Sequence, residues 1–375
     1  MIIKIYNKII ARIKRIIIKS SNLFTNLVNH IFSSIFMRWK EVKSIPKIES
    51  RKIPIILLCR FDKYYNGSND DSMEKFHLED SLIKRKVQLV NFFWDQKQNL
   101  FMYYINFLKK IINTQPDLVI LSSYSHLKKR YFSQPSSSIM NKIKKKVKIK
   151  FIALWWDTCS NNFIEKNIFP VDSFIDLHVI NDNPNLITKI NKLSKPLSEK
   201  IICKSPSYDP DGLFKPMKKD IDVSFLGQIS SYRDYRKEYI DFLKIKKVKG
   251  LFATSERSEQ KTHADYAKIM GRSKIGINFS YSTDMHQLKG RVFETLLSGA
   301  LLLEMANEQT AMLFNEGVEY VEFVNKNDLL DKINYYLKNE EQRLEIAKNG
   351  RDKVLNIFNG QHYWDAILPK VGLNA

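Results

Sequence analysis

Cysteine is scarce in this 375-residue chain, and its three cysteines lie far apart. Cys59, Cys159 and Cys203 show no CxxC spacing, so the sequence implies neither a disulfide framework nor a zinc site. Long apolar runs are also lacking, because Lys or Arg interrupts the isoleucine-rich stretches every few positions. A span needs about 18 consecutive apolar residues, so we expect no transmembrane helix. These absences predict free thiols in a protein of the reducing cytoplasm.

Glycine and proline are few, at 12 and 11 residues, while 44% of the residues are hydrophobic and 27% are charged. This composition is typical of a folded globular protein and excludes a disordered or collagen-like chain. The length exceeds what one hydrophobic core usually serves, so we predict two domains.

Acidic residues are too few to balance the basic ones, since 61 Lys and Arg stand against 40 Asp and Glu, a net charge of +21. This excess favours an anionic partner, which could be a nucleic acid, a nucleotide or an acidic lipid surface. Nucleic-acid binding needs basic residues interleaved with aromatic platforms or a groove-entering helix, and here they are spread along the chain. We therefore expect no nucleic-acid partner, and a basic nucleic-acid-binding protein is one of two alternative functions.

The N-terminal segment contains the densest basic pattern, with eight Lys or Arg and no Asp or Glu in residues 1–40. Its basic and isoleucine positions recur with the period of a helix, which predicts a basic amphipathic helix within residues 1–50. Such a helix can lie in an anionic membrane interface. It can equally pack its isoleucine stripe onto the protein's own core, and both interpretations stay open.

Short apolar runs separated by helical periods follow in two series. The runs are IPIILLC, KVQLVNFFW, PDLVILSS, KIKFIALWW and FIDLHVI, then IDVSFLG, VKGLFAT, KIGINFS, ALLLE and VEYVEFV. Unbroken apolar strands between helices indicate parallel sheets covered on both faces. The predicted fold class is α/β, with two tandem Rossmann-like doubly wound domains at residues 51–204 and 221–358. Residues 205–220, with three prolines and a glycine, form the predicted linker. Residues 359–375 are expected to pack back on the N-terminal domain.

Ligands of open parallel sheets bind beyond the carboxyl ends of the strands. The first strand of the second domain is predicted to end at Gly227, where a missing side chain lets backbone approach a ligand. The next helix offers free N–H groups to a phosphate, and Arg233 and Arg236 near its start would add positive charge.

The strongest cluster is HQLKGRVFETLLSGALLLE, residues 286–304. Lys289 and Arg291 flank a turn that enters a helix, and Glu294 is expected in the first turn of that helix. A carboxylate there can accept hydrogen bonds from ribose hydroxyls while the two basic side chains neutralise a pyrophosphate. The helix dipole alone also favours a carboxylate at this place, so a purely structural role stays open.

The segments DVSFLGQISSYR, SKIGINFS and LKGRVFETLLSGALLLE, in this order and spacing, resemble the C-terminal domain of group 1 glycosyltransferases. The subgroup is the one typified by the CgeB spore maturation protein. The resemblance implies a GT-B fold, in which two Rossmann-like domains face each other across a cleft. It also implies a nucleotide-sugar donor on the C-terminal domain and a glycan, lipid-linked or similar acceptor on the N-terminal one.

The resemblance and the residue types together assign the site. The expected donor-binding residues are Gly227, Arg233, Lys289, Arg291 and Glu294. His286 stands where many relatives carry a second glutamate near the donor sugar, and it is a candidate catalytic residue together with Asp157. The missing glutamate leaves an inactive scaffold that binds nucleotide or glycan as the second alternative. For an inverting reaction the candidate general bases are Asp157, which follows WW, and Asp62, of which Asp157 is preferred.

The resemblance implies that basic side chains and helix N-termini, not a metal, stabilise the departing nucleoside diphosphate. Candidate carboxylate pairs do not fit a metal site, because Asp220 and Asp222 precede their strand and Asp70 and Asp71 lie in a turn-forming loop. We expect no metal and no other cofactor. The predicted protein is a metal-independent glycosyltransferase, cytoplasmic or peripheral at the inner face of the membrane.

Overall fold

The computed structural model describes residues 51–63, 69–95, 100–124, 134–147, 149–158, 160, 162–206, 212–229, 234–253, 262–280 and 286–373. The predicted N-terminal helix, Cys159 and Arg233 lie outside these residues. Cys59 and Cys203 are free cysteines, as expected.

The N-terminal domain is built on a parallel sheet with the strand order β2-β1-β3-β4-β5-β6. The strands are β1 (Ile55–Arg60), β2 (Gln88–Phe93), β3 (Leu118–Ser122), β4 (Lys150–Trp155), β5 (Leu177–Ile180) and β6 (Ile201–Cys203). The α-helices are α1 (Asp80–Ile83), α2 (Leu100–Thr114), α3 (Ser137–Lys146), α4 (Ile187–Ile190) and α5 (Lys195–Ser198). Single π-helical turns span Lys75–Glu79 and Ile164–Ile168, and a 3-10 turn spans Pro184–Leu186.

The C-terminal domain has a second parallel sheet, with the strand order β11-β10-β9-β7-β8. Its strands are β7 (Ile221–Leu226), β8 (Gly250–Ala253), β9 (Ser273–Asn278), β10 (Leu301–Met305) and β11 (Val321–Phe323). Its helices are α6 (Asp234–Ile245), α7 (His263–Arg272), α8 (Gly290–Leu297), α9 (Glu308–Ala311), α10 (Lys326–Lys338) and α11 (Glu340–Ile357). The chain ends in α12 (Gly360–Ile367) and a 3-10 turn at Leu368–Val371.

Both faces of the N-terminal sheet are buried, which is why its strands are continuous apolar runs. Successive residues of a strand point to opposite faces. Leu57 and Cys59 therefore pack into one core cluster, and Ile56 and Leu58 into another on the opposite face. The prediction of two parallel-sheet α/β domains is confirmed. β6 was not predicted, because a three-residue edge strand has too short an apolar run to stand out.

The helix α12 leaves the C-terminal domain and packs against the N-terminal sheet. Tyr363 and Trp364 are fully buried in the core cluster that contains Ile56 and Leu58. The indole Nε1 of Trp364 donates to Ser81 Oγ at 2.8 Å. The last helix therefore joins the two domains, as a second connection beside the linker.

The carboxyl ends of the two sheets face each other, and hydrogen bonds between loops join them. The amide of Leu288 donates to the carbonyl of Asp182 at 3.0 Å. In a second contact, the backbone amide of His263 donates to Asp70 Oδ2 at 3.1 Å. All four residues follow strands, so the edges where α/β sheets bind ligands lie together. In the part of the chain described here, no helix is both long and apolar enough to cross a bilayer.

Candidate functional site

The C-terminal sheet has a topological switch point between β7 and β9. The chain passes from β7 outward to β8, then returns to β9 on the other side of β7 and continues outward through β10 and β11. A crevice forms where the winding reverses, outside the carboxyl ends of the two central strands, and this is where doubly wound sheets bind ligands. Gly227 directly follows β7, and Asn278 ends β9.

Arg291 lies over this switch point. Its Nη1 donates to Asn278 Oδ1 at 2.8 Å, and its guanidinium carbon lies 5.4 Å from the ring centroid of Phe225. A Cβ atom added to Gly227 would lie 2.7 Å from Arg291 Nη2. The fold therefore brings these two predicted residues together, and a side chain at position 227 would occupy the space of the guanidinium.

Glu294 lies on the same helix, α8, but not in its first turn as expected. The helix begins at Gly290, because the backbone of Lys289 is still extended, so Glu294 is the fifth helical residue. Its side chain is buried and accepts a 2.7 Å hydrogen bond from the hydroxyl of Tyr266. Burial raises the pKa of Glu294, while this hydrogen bond and the charge of Arg291 act in the opposite direction.

Lys289 points toward the N-terminal domain. Its Nζ lies 3.8 Å from Asp157 Oδ1 and donates to Gln287 Oε1. The side-chain nitrogen Nε2 of Gln287 donates to Asp157 Oδ1 at 3.0 Å and also to Asp182 Oδ2. The predicted base and one of the predicted donor-binding residues are thus neighbours across the domain interface.

Asp157 has an unusual backbone conformation for a residue with a side chain. Its φ is 54°, in the left-handed region that favours glycine. Strained conformations of this kind cluster at functional sites, where they aim a side chain that ordinary geometry would turn elsewhere. The side chain of Asp157 is 84% exposed, at the carboxyl end of β4.

Asp182 is a buried carboxylate at the same interface, and the sequence did not single it out as a site residue. Thr158 Oγ1 donates to it at 2.6 Å, and Gln287 donates from the other domain. Burial, followed by the negative charge of Asp157, raises the pKa of Asp182 to about 6. Its position directly after an apolar strand was visible in the sequence, but its burial depends on the docking of the other domain.

The remaining predicted residues have different surroundings. His286 is partly exposed, and its Nδ1 contacts the carboxylate of Glu308 in α9. Asp62 follows β1, where its backbone amide donates to Asp95 Oδ1 at 2.9 Å and its Oδ2 lies 3.8 Å from Lys63 Nζ. Arg236 was expected to add charge to the ligand site, and its Nη1 donates at 3.3 Å to the carbonyl of Gln228, the residue after Gly227. Arg236 is buried, and its guanidinium donates to the carbonyl of Phe279 at 2.8 Å, so it holds backbone in place.

The N-terminal sheet has its own switch point, between β1 and β3, and the chain fills it. The buried carboxyl group of Glu74 accepts hydrogen bonds from the amide of Phe61 at 2.9 Å and from Ser123 Oγ at 2.7 Å. Ser122 Oγ donates to it as well. One switch point thus holds a carboxyl group of the protein, while the other presents the guanidinium of Arg291. Only the second is suited to an anionic ligand.

Within the described ranges, no three His, Cys, Asp or Glu side chains are grouped so that they could share a metal ion.

Comparisons with known proteins agree with this architecture. Residues 212–369 match the family described as "Glycosyl transferase-like". No curated protein sequence matches the chain. Among solved structures, an alpha-glucosyltransferase in complex with UDP-glucose and DNA containing an abasic site superposes with a TM-score of 0.62. It is 9% identical, and the match covers 85% of this chain and 100% of that chain.

Two further solved structures show the same similarity. HepE of Anabaena in complex with UDP and glucose has a TM-score of 0.57 and 12% identity, over 85% of this chain and 99% of that chain. Sucrose-phosphate synthase of Thermosynechococcus elongatus has a TM-score of 0.55 and 11% identity, over 85% and 97%. At these identities the likeness establishes the GT-B fold, and the family match supports a glycosyltransferase.

Proposed function

We propose that the protein transfers a sugar from a nucleotide-sugar donor to an acceptor hydroxyl. The observation that carries this proposal is the guanidinium of Arg291 beside Gly227 at the C-terminal switch point, with Glu294 three residues further along the same helix. Residues three apart on a helix share a face, so one ligand can contact both. The family match in residues 212–369 supports the proposal, as do the similar structures whose titles name UDP or UDP-glucose.

The donor would be held by groups of complementary charge. The planar guanidinium of Arg291 is suited to two parallel hydrogen bonds with a diphosphate, and Lys289 supplies a second positive charge. Glu294 would accept hydrogen bonds from the ribose hydroxyls. The absent side chain of Gly227 lets the diphosphate approach the backbone after β7, and Arg233 is proposed as a further cation there.

In the proposed reaction, the bond between the sugar anomeric carbon and the diphosphate oxygen breaks, and the acceptor oxygen forms the new bond to that carbon. The acceptor proton passes to a base, for which we propose Asp157 on the N-terminal domain. The charge left on the diphosphate is stabilised by Arg291 and Lys289, which need no metal or other cofactor for this role. His286 is proposed as a hydrogen-bond partner of the donor sugar.

We propose a hexosyl donor, a glycan or lipid-linked acceptor bound mainly by the N-terminal domain, and a role in polysaccharide biosynthesis, as in the CgeB-like subgroup.

The basic segment of residues 1–40 suggests a cytoplasmic protein on an anionic membrane face. Deleting residues 1–40 should abolish binding to phosphatidylglycerol vesicles and leave donor binding intact. Equal vesicle binding by the shortened chain would contradict the membrane role, and neutral phosphatidylcholine vesicles are the control.

The central experiment measures thermal unfolding with a panel of UDP-, GDP-, CMP- and TDP-sugars. A donor at about 100 times its Kd should raise the Tm by about 5 °C, because it stabilises only the native state. Arg291→Lys should lose most of this shift. Thr295→Val, on the same helix, should keep it. No shift with any sugar nucleotide would contradict the proposal, whereas binding with neither transfer nor donor hydrolysis would favour the inactive scaffold.

A further inference from the structure

Glu304 is a carboxylate without solvent exposure, near the carboxyl end of β10. It accepts hydrogen bonds from the amide nitrogen of Asn278 at 2.7 Å and from Asn307 Nδ2 at 3.3 Å, and also from Ser280 Oγ. A buried carboxylate is costly even when neutral donors surround it, so its presence at this place calls for a function. Two hydrogen bonds, from Glu304 to Asn278 and from Asn278 to Arg291, connect this carboxylate to the switch point of the C-terminal sheet.

Asn278 connects the two charged groups, and Glu304 determines which way its amide points. An ionised carboxylate only accepts hydrogen bonds, so the NH₂ group of Asn278 must face Glu304. The amide oxygen then faces the opposite side, where it accepts from Arg291 Nη1 at 2.8 Å. With the reverse amide orientation, the NH₂ group would face a guanidinium, which has no acceptor.

The hydroxyl of Tyr266 is a second hydrogen-bonding neighbour of Arg291, and the carboxyl groups of Glu294 and Glu304 attract its charge. Within the described ranges the Nε of Arg291 is buried without a hydrogen-bond partner, and Phe225 contacts only the face of the guanidinium. Asn278 accepts from Nη1 and, together with the Tyr266 hydroxyl, sets the orientation of the guanidinium. We infer that Glu304 and Asn278 are positioning residues, which hold the Arg291 guanidinium in the orientation that binds the donor diphosphate. This inference rests on the proposed function.

A double-mutant cycle with UDP binding, measured by calorimetry, tests the inference. Glu304→Gln replaces an obligatory acceptor of the Asn278 NH₂ group by an amide that can turn its own NH₂ group toward it. The Asn278 amide is then oriented by Arg291 without the support of Glu304, so UDP affinity should fall about fivefold. In the Arg291→Lys background, where the guanidinium fork is absent, the same substitution should change the affinity by less than about twofold. Thr295→Val is the control on the same helix, because its buried hydroxyl has no hydrogen-bond partner within the described ranges. It should leave UDP affinity unchanged.

The possible outcomes are distinct. Equal losses in both backgrounds mean that Glu304 acts only on the fold, and the inference fails while the proposed function stands. A wild-type protein that binds no UDP, GDP, CDP or TDP overturns both. If Glu304→Gln does not fold, Asn278→Asp takes its place in the cycle. The new carboxylate would pair with Arg291 and compete with the diphosphate, so UDP affinity should fall at least about tenfold, again only where Arg291 is present.

Discussion

Lys289 Nζ lies 3.8 Å from Asp157 Oδ1, and these two residues belong to different domains. The contact joins the turn that enters α8 to the carboxyl end of β4. It places the proposed general base beside one of the cations proposed to hold the donor diphosphate. A donor sugar bound between the domains would therefore lie close to the acceptor, to the base and to the basic side chains that stabilise the departing diphosphate.

Asp157→Asn should separate catalysis from donor binding. The amide cannot take the acceptor proton, so we expect kcat to fall about 100-fold while the donor KM stays within about threefold. Steady-state transfer kinetics with varied donor measure both parameters. Asp62→Asn is the matched control, since Asp62 is the other carboxylate considered as a base. A larger loss of kcat in Asp62→Asn than in Asp157→Asn would reverse the assignment.

Gly227→Ala should weaken donor binding through Arg291. The added methyl group would lie 2.7 Å from Arg291 Nη2, so the guanidinium must leave its position over the switch point. We expect the donor Kd to rise about tenfold, measured by calorimetry.

Gly250→Ala is the control for this substitution. Its Cβ would meet Phe252 and the carbonyl of Val223 at 2.8 Å, at the amino end of β8. It should lower the Tm and leave the donor Kd unchanged. Equal effects of both substitutions on the Kd would mean that Gly227 acts only through stability.

Tyr266→Phe should make donor binding more sensitive to acid. The Tyr266 hydroxyl opposes the effect of burial on the pKa of Glu294, so its removal raises that pKa further. Glu294 can accept from the ribose hydroxyls with both carboxylate oxygens only when ionised, so affinity is highest above its pKa and falls as the pH drops through it. Titrations from about pH 8 to about pH 5 should show the loss starting at higher pH in the variant.

Tyr363→Phe is the control for a removed phenol hydroxyl, because Tyr363 donates to Asn181 in the core. Its pH profile should coincide with that of the wild type. If the Tyr266→Phe profile also coincides with the wild type, Glu294 is not the group that titrates in the donor complex.

Asp182→Asn should remove a pH dependence of stability. The pKa of Asp182 is about 6 in the folded protein, above its ordinary value, so folding favours the protonated form. The stability linked to this proton is complete below about pH 4 and lost as the pH rises through 6, a change of about 3 kcal/mol by pH 8. Urea unfolding across this range should show the wild type losing stability relative to Asp182→Asn. Parallel curves for the two proteins would show that Asp182 titrates normally.

Local pattern was enough to predict part of the site. The strand before Gly227 and the basic turn before α8 are encoded by neighbouring residues, because strand and helix periods repeat every two to four positions. The rule that parallel sheets bind ligands at their carboxyl ends then indicates where Gly227, Lys289, Arg291 and Glu294 should lie. The expected first-turn position of Glu294 was wrong, because the helix already begins at Gly290, inside the expected turn, and Glu294 is therefore its fifth residue.

The sequence by itself determined the two α/β domains and the residue types at the strand ends, since both depend on short-range periodicity. Only the tertiary structure decided that Gln287 contacts Asp157, 130 residues earlier in the chain, and that Arg236 holds backbone carbonyls. It also decided that Asp182 and Glu304 are buried. Burial and pairing of a charge depend on which distant surface covers it, and no local pattern of residues encodes that surface.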